Sequence, residues 1–600
     1  MLRQLFAVGF LVAAGTLVEA VAESYDYIVV GSGPGGAPLA ANLARAGYSV
    51  TLLEAGVDLG NNKNFSELAN FIEAGNDEKS RWDFFVKHSD DEAREAKYEK
   101  TTWRTADGSF YVGLDPPEGA TRLGIYYPRA ATLGGCAMHN GGICTLPNDA
   151  DWGYIAEITG DDGWLASNMR KYFEKMEANE YLPPDTPGHG YNGYVNTTIS
   201  DPSFMRQNSD VQKLASQLIT VTGGDAARDI NAPDPDRDQA TGVFGMASHG
   251  DKNGKRTGTN TYLKSTLADP RKFNLTIQLE TLVTRVIINW EDGNPSATGV
   301  EVLRGSHQYE ADPLYNGTAG RFGRIFAKKE VIIAGGTFNS PQILKLSGIG
   351  PAKELEKFHI PVVKDLPGVG ENLGDNYEAG IQSLASRPLN GTAGPIAVFL
   401  KTPTARKTRN IQAWCASFSF EGFWPGFPTD YGPSEYECAM VHMNPRSQAG
   451  YVRLRSNDPR QMPEINLNFF AEGGDEDLTE LLDAAKTFRK AFNSAGAPIT
   501  PFNERHPCPG VNQNCTDEAQ KEFMKLQTYS HHATSTCAIG RADDPTAVLD
   551  SKFRVHGVGN LRVVDASAFP KVPGAFPVCP TFMLAEKATA DILSELEKKN

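Results

Sequence analysis

The 600-residue chain has no run of lysine and arginine, and its 73 acidic residues outnumber 58 basic ones for a net charge of -15. A nucleic-acid binder needs a cationic face, so nucleic acid is not an expected partner. After the first residues, no apolar stretch reaches the ~20 residues of a membrane-spanning helix. Internal repeats and low-complexity linkers are missing too, which favours one body over domains strung on tethers. Cysteine is scarce, with eight residues, and pairs such as Cys136 and Cys144 lack the CxxC repetition of a zinc site. No metal site is expected. What remains, 40% hydrophobic and 22% charged, sits near the globular norm and excludes coiled coils, collagens and disordered tails. The length suffices for several domains' worth of core.

The beginning reads as an export signal. Arg3 supplies the positive end, Leu5 to Val18 is almost wholly apolar, and Ala20-Val21-Ala22 offers a small-x-small cleavage pattern. A secreted, extracellular protein starting near Glu23 is expected, with no membrane attachment once the signal is removed. Six N-x-S/T sequons, at Asn64, Asn196, Asn274, Asn316, Asn390 and Asn514, fit a glycoprotein. Cys508 and Cys515 enclose a short Pro/Gly/Asn-rich loop and are the first disulfide candidate; Cys415 with Cys438 is a weaker one.

From Tyr25 the pattern becomes specific. The apolar run to Val30 leads into Gly31-Ser32-Gly33-Pro34-Gly35-Gly36, then an Ala/Leu-rich helix to Gly47, then a second strand ending at Glu54. Strand, glycine turn, helix, strand and acid together form the dinucleotide-binding fingerprint. Gly31 permits the turn, Gly33 admits a pyrophosphate, Gly36 packs the helix on the strand, and Glu54 is placed for a ribose hydroxyl. The fingerprint alone does not separate NAD from FAD. Matching pieces hundreds of residues apart favour a flavin threaded deep into the chain.

Those pieces resemble the glucose–methanol–choline (GMC) flavoprotein oxidoreductases. They are Gly336 to Gly350 after the strand Val331–Ala334, Leu366 to Leu373, Gly450 to Asn468, His532 to Asp565, and Ala585-Glu586-Lys587. The resemblance implies a mixed α/β fold. A Rossmann-like FAD domain would be assembled from residues 23–160, 255–385 and 520–600, and a substrate domain with an antiparallel sheet from 161–254 and 386–519. It also implies FAD contacts at Glu54, Val283, Gly134-Gly135-Cys136, Asp565 and Ala566. The aromatic stretch Trp414 to Phe427 would roof the flavin. The last helix would begin near Pro580-Thr581 and favour negative charge at the flavin's N1–C2 edge.

Alcohol oxidation needs a base for the hydroxyl proton and an acceptor for the hydride, and imidazole suits the first task. By resemblance, the base stands four residues before Thr536, at His532. Adjacent His531 is expected to point away on an extended segment, as a structural or surface histidine. The family's second histidine or asparagine aligns with Phe576, which can neither accept a proton nor hydrogen-bond an oxygen. His139, before Asn140, resembles members whose histidine is bonded to the flavin 8α-methyl, and a non-covalent neighbour of the ring is the alternative. Arg129 matches a family position. The expected activity is oxidation of a small sugar, aryl or other alcohol, with O2 or a quinone-like compound as acceptor. A non-redox FAD lyase or cyclase, or an inactive relict, is the alternative that Phe576 keeps open.

Overall fold

The computed structural model describes residues 23–200, 209–223, 228–390, 396–428, 431–574 and 576–598. The expected export segment lies outside the described residues. Strand β1 (Glu23–Val30), helix α1 (Gly36–Arg45) and strand β2 (Val50–Leu53) form a parallel βαβ unit. Ile28, Val29 and Val30 are all buried, as in a strand covered on both faces. On its other side β1 pairs in parallel with Arg321–Ile333, which in turn takes Leu561–Val563. Leu275–Gln278 closes the opposite edge against β2. The hairpin Thr281–Glu291/Asn294–Arg304 extends the sheet antiparallel from Arg321–Ile333. One sheet is therefore assembled from three remote parts of the chain.

A second, six-stranded sheet is antiparallel throughout. Its order is Asn503–His506, Tyr377–Leu384, Glu435–His442, Ile411–Ala416, Ile396–Leu400 and Gly242–Gly245. The strand Tyr377–Leu384, at the end of the segment 255–385, thus belongs to this sheet and not to the nucleotide sheet. Helix Gly474–Ser494 lays Leu478, Leu481, Leu482, Ala485, Phe488 and Phe492 on it, a spacing of three and four that keeps one stripe facing the strands. The two sheets organise the two large hydrophobic cores. Among the described residues, no helix is long and apolar enough to cross a membrane.

Three disulfides form. Cys508–Cys515 closes the loop foreseen from its composition, and Cys415–Cys438 joins partners in register on neighbouring strands. The third, Cys144–Cys579, ties residues 435 apart and anchors the start of the last helix, Val578–Glu597. Spacing gives no hint of it. Cys136 and Cys537 are free.

Candidate active site

A single cavity runs from the glycine turn to the six-stranded sheet. Gly31, Gly33 and Glu54 line one end; Trp414, His531 and His532 line the other. Gly31 has φ +97°, and a Cβ there would lie 2.3 Å from the Ala334 carbonyl oxygen, so only glycine makes this turn. A Cβ on Gly36 would lie 2.0 Å from the Gly31 oxygen; this residue packs α1 against β1 and does not itself line the cavity. Gly33 differs. A Cβ there meets nothing within 4 Å, leaving bare backbone at the cavity wall, near the N-terminus of α1, where phosphate oxygens are favoured.

Glu54 ends β2 with its carboxylate held in place. It accepts hydrogen bonds from Ser32 Oγ at 2.5 Å, Ser32 N at 3.2 Å and Gly56 N at 2.9 Å. Burial pushes its pKa up, and those donors oppose the shift. Val283, on the strand Thr281–Glu291, lines the same cavity. Asp565 lines it as well, but its side chain is engaged elsewhere. One oxygen accepts from Gly336 N and Ser340 Oγ, at 2.9 and 2.6 Å, and the other from Ser567 N and Oγ, at 2.8 and 2.5 Å. The carboxylate locks helix Gly336–Leu346 to the turn Ala566–Ala568. What Asp565 and Ala566 offer a cofactor is backbone.

The turn Gly134–Asn140 forms the next wall. Gly134 donates its N–H to Ser32 Oγ at 2.8 Å and stands behind the lining, while Gly135 has φ +60° and touches Gly33 so closely that a Cβ would lie 2.7 Å from its Cα. Cys136, His139 and Asn140 line the cavity. Arg256 and His249 hold the Asn140 side-chain oxygen at 2.7 and 3.1 Å. Burial alone would raise the Cys136 thiol, but Arg129 and His139 outweigh it and bring its pKa to about 6.

At the far end, four contacts fix the segment carrying the two histidines. Asp375 accepts from Ser530 Oγ at 2.5 Å and from His532 N at 2.9 Å; Ala533 N donates to Tyr127 Oη at 2.9 Å; Arg129 reaches the His531 carbonyl at 2.6 Å. The segment bridges its neighbours only at Tyr529 and Thr534 and is not a strand. The two-residue alternation of a strand therefore does not apply. His531 does not point away: its ring lies 4.0 Å from that of His532, and both line the cavity. Both turn Nδ1 toward Glu378, at 3.3 and 3.0 Å. Burial lowers both imidazoles to about 3, so both are neutral. Phe576 packs edge-on against His532 at 4.7 Å. The wall opposite is aromatic, with Trp414, Phe420, Phe423 and Phe427.

Residues 25–378 match the N-terminal family model of the GMC oxidoreductases, and residues 445–585 match the C-terminal one. The chain is a GMC oxidoreductase. Among its relatives, the glucose methanol choline oxidoreductase atC of Aspergillus terreus is 28% identical, over 95% of this chain and 93% of that protein. An oxygen-dependent choline dehydrogenase of Yersinia pseudotuberculosis is 30% identical, over 94% and 92%. The pyridoxine 4-oxidase from Mesorbium loti superposes with a TM-score of 0.74 at 20% identity, covering 95% of this chain and 99% of that one, and so shares the fold. GMC oxidoreductases bind FAD, and the glycine turn, the bare Gly33 and the oriented Glu54 fit that cofactor here. The protein is an FAD-dependent alcohol oxidoreductase.

Glu378 and His531 escaped the sequence reading. Glu378 lies on a strand of the other sheet, and no motif marks it. His531 was visible, but a strand-like alternation was imposed on a segment that has none.

Proposed function

We propose that this GMC oxidoreductase oxidises the CH–OH group of a small aryl or otherwise apolar alcohol, with His532 as the base. The observation that carries this reading is the shared cavity: the bare backbone at Gly33 and the two neutral histidines are walls of one space. Gly31, Gly33, Glu54, Val283 and the Gly134–Asn140 turn would hold FAD, which would supply the hydride acceptor at its N5. His532 turns Nδ1 to Glu378, which leaves Nε2 to take the hydroxyl proton. His531 supplies a second imidazole beside it, in place of the polar group missing at Phe576. The aromatic wall offers a sugar few hydrogen-bond partners and favours an apolar substrate.

His139 is the side chain through which FAD could be tethered. Acid-denatured protein with FAD mass on the peptide bearing His139 establishes the tether, and release of all flavin removes it. The acceptor is O2 or a quinone-like compound. Anaerobic mixing of the yellow enzyme with benzylic and aliphatic alcohols tests the reaction. Bleaching by an aryl alcohol supports oxidation, whereas flavin that no alcohol bleaches turns the reading to a lyase or cyclase. Export of the mature chain from near Glu23 is part of the same proposal. Three disulfides fit an oxidising compartment, and none of the six sequon asparagines is buried. N-terminal sequencing of protein from culture medium tests it.

A further inference from the structure

Three ligand atoms converge at the catalytic end with nothing to satisfy them. His531 Nδ1 and His532 Nδ1 lie 3.3 and 3.0 Å from Glu378 Oε1. Yet among the described residues none of the three atoms makes a hydrogen bond, because neither ring aims its nitrogen at the oxygen along a hydrogen-bonding line. Glu378 is 1% exposed and His532 6%. A carboxylate buried this deeply is normally paired with a cation, bound to a metal or protonated. The nearest candidate on this wall, Arg129, is engaged by the His531 carbonyl and the Cys136 thiol.

We propose that Glu378, His531 and His532 form a binding site for a divalent transition metal, with zinc as its natural probe. Two imidazoles and one carboxylate are a common zinc donor set. At metal–ligand bonds of about 2.0–2.2 Å, neighbouring ligand atoms of a tetrahedral site stand about 3.3–3.6 Å apart, which the His531 separation from Glu378 meets and the His532 separation falls a few tenths of an ångström short of. In that arrangement each lone pair points at the ion and not at the next ligand atom, which is how the failed hydrogen bonds read.

Occupancy has a chemical consequence. A neutral imidazole bound to metal through Nδ1 carries its proton on Nε2. His532 then presents an N–H to the cavity where alcohol oxidation needs a lone pair. The proton that His532 Nδ1 carries in the working enzyme is given up to solvent and one is taken up at Nε2; if Glu378 is protonated before binding, its proton also leaves to solvent, and no oxidation state changes. The site is inhibitory: zinc and alcohol turnover exclude one another. This consequence rests on His532 as the base; the binding itself does not.

Zinc chloride titrated calorimetrically into the FAD-loaded enzyme should bind at one site per chain. Crystals of the same holoenzyme soaked in zinc should show an anomalous peak within bonding distance of Glu378 and both histidines. Glu378→Gln and His531→Ala should each weaken binding by more than about 10–100-fold, the loss expected when even an outer partner of a metal ligand is removed. Their visible flavin spectrum reports that they are folded. Zinc should block anaerobic flavin reduction in the wild type. The proposal is overturned if the wild type binds no zinc at millimolar concentration, if the anomalous peak lies elsewhere, or if both variants bind as the wild type does. Binding without inhibition would leave the metal site standing and remove His532 as the base.

Discussion

His442 and Glu378 lie one register step apart on paired strands, since Tyr377 faces His442 and Glu378 faces Val441. Side chains alternate across a sheet, so the two project from opposite faces. His442 meets Glu480 at 2.7 Å and Asp477 at 3.6 Å, both from the helix Gly474–Ser494. Arg446 ion-pairs both acids, and Asn410 donates to Glu480 at 2.7 Å. Glu378 gathers two histidines on the other face, with neither arginine nor amide. The residue types are nearly the same. On the face packed against a helix, the protein supplies the cation; on the face turned to the cavity, the charge is left for what enters. The acids on the helix face are satisfied within the fold, whereas Glu378 Oε1 on the cavity face makes no hydrogen bond among the described residues.

The contrast is broken most severely at His532. His532→Ala should leave FAD bound and slow anaerobic flavin reduction by roughly 10²–10⁴-fold, the usual range for general acid–base catalysis. Stopped-flow absorbance with a confirmed substrate reads it, and a wild-type rate would move the base elsewhere. On the helix face the same kind of change should act on stability alone. Arg446→Met strands Asp477 and Glu480 without their cation and should cost about 3–5 kcal/mol, with an unchanged rate of flavin reduction. Glu378→Gln should cost far less stability, because it removes a buried charge that has no counter-cation. Thermal unfolding of the two variants side by side checks the comparison. Equal losses would mean that the cavity-side acid is structural after all.

Glu54 is a third buried acid and a third solution, satisfied by a hydroxyl and two backbone N–H groups. It lines the cavity with acceptor capacity to spare. Glu54→Ala should weaken FAD retention by about 1.5–3 kcal/mol, the worth of a charge-assisted hydrogen bond. Flavin content after prolonged dialysis measures it, and undiminished content would place the ribose contact on another residue.

The nucleotide end was legible because its chemistry is local. Gly31, Gly33, Gly36 and Glu54 lie within one βαβ unit, where a tight turn and a pyrophosphate dictate residue type at fixed spacing. His532 was legible through the segment it shares with Thr536, whose hydroxyl bonds the Thr337 carbonyl at 2.6 Å and so fixes that segment to the helix Gly336–Leu346. Glu378 was not legible. It reaches the histidines only because a strand of the antiparallel sheet passes alongside them, a contact across more than 150 residues of chain that no local pattern encodes. Cys144–Cys579 was hidden for the same reason. Motif position identified Asp565, which lines the cavity, and its four donors add a lock between two elements that the motif does not reveal.

His531 offers the finest test of the comparison, and the smallest expected effect. Phe576 removes the polar group that a second position would contribute, yet His531 brings a second imidazole to the same wall, its ring 4.0 Å from that of His532. A neutral imidazole can donate one hydrogen bond to a substrate oxygen, and a neutral hydrogen bond is worth about 0.5–1.5 kcal/mol net. His531→Ala should therefore slow flavin reduction by roughly threefold to tenfold, well short of the loss at His532. Truncation alone could do this by loosening the aromatic packing, since the ring also meets Phe423 at 4.9 Å. The conservative variant separates the two causes. Gln keeps an N–H donor but no aromatic ring, so recovery of most of the rate in His531→Gln points to the hydrogen bond, and a rate as slow as the alanine variant points to packing. A loss in His531→Ala as large as that in His532→Ala would instead make the two imidazoles a single unit, with the base shared between them.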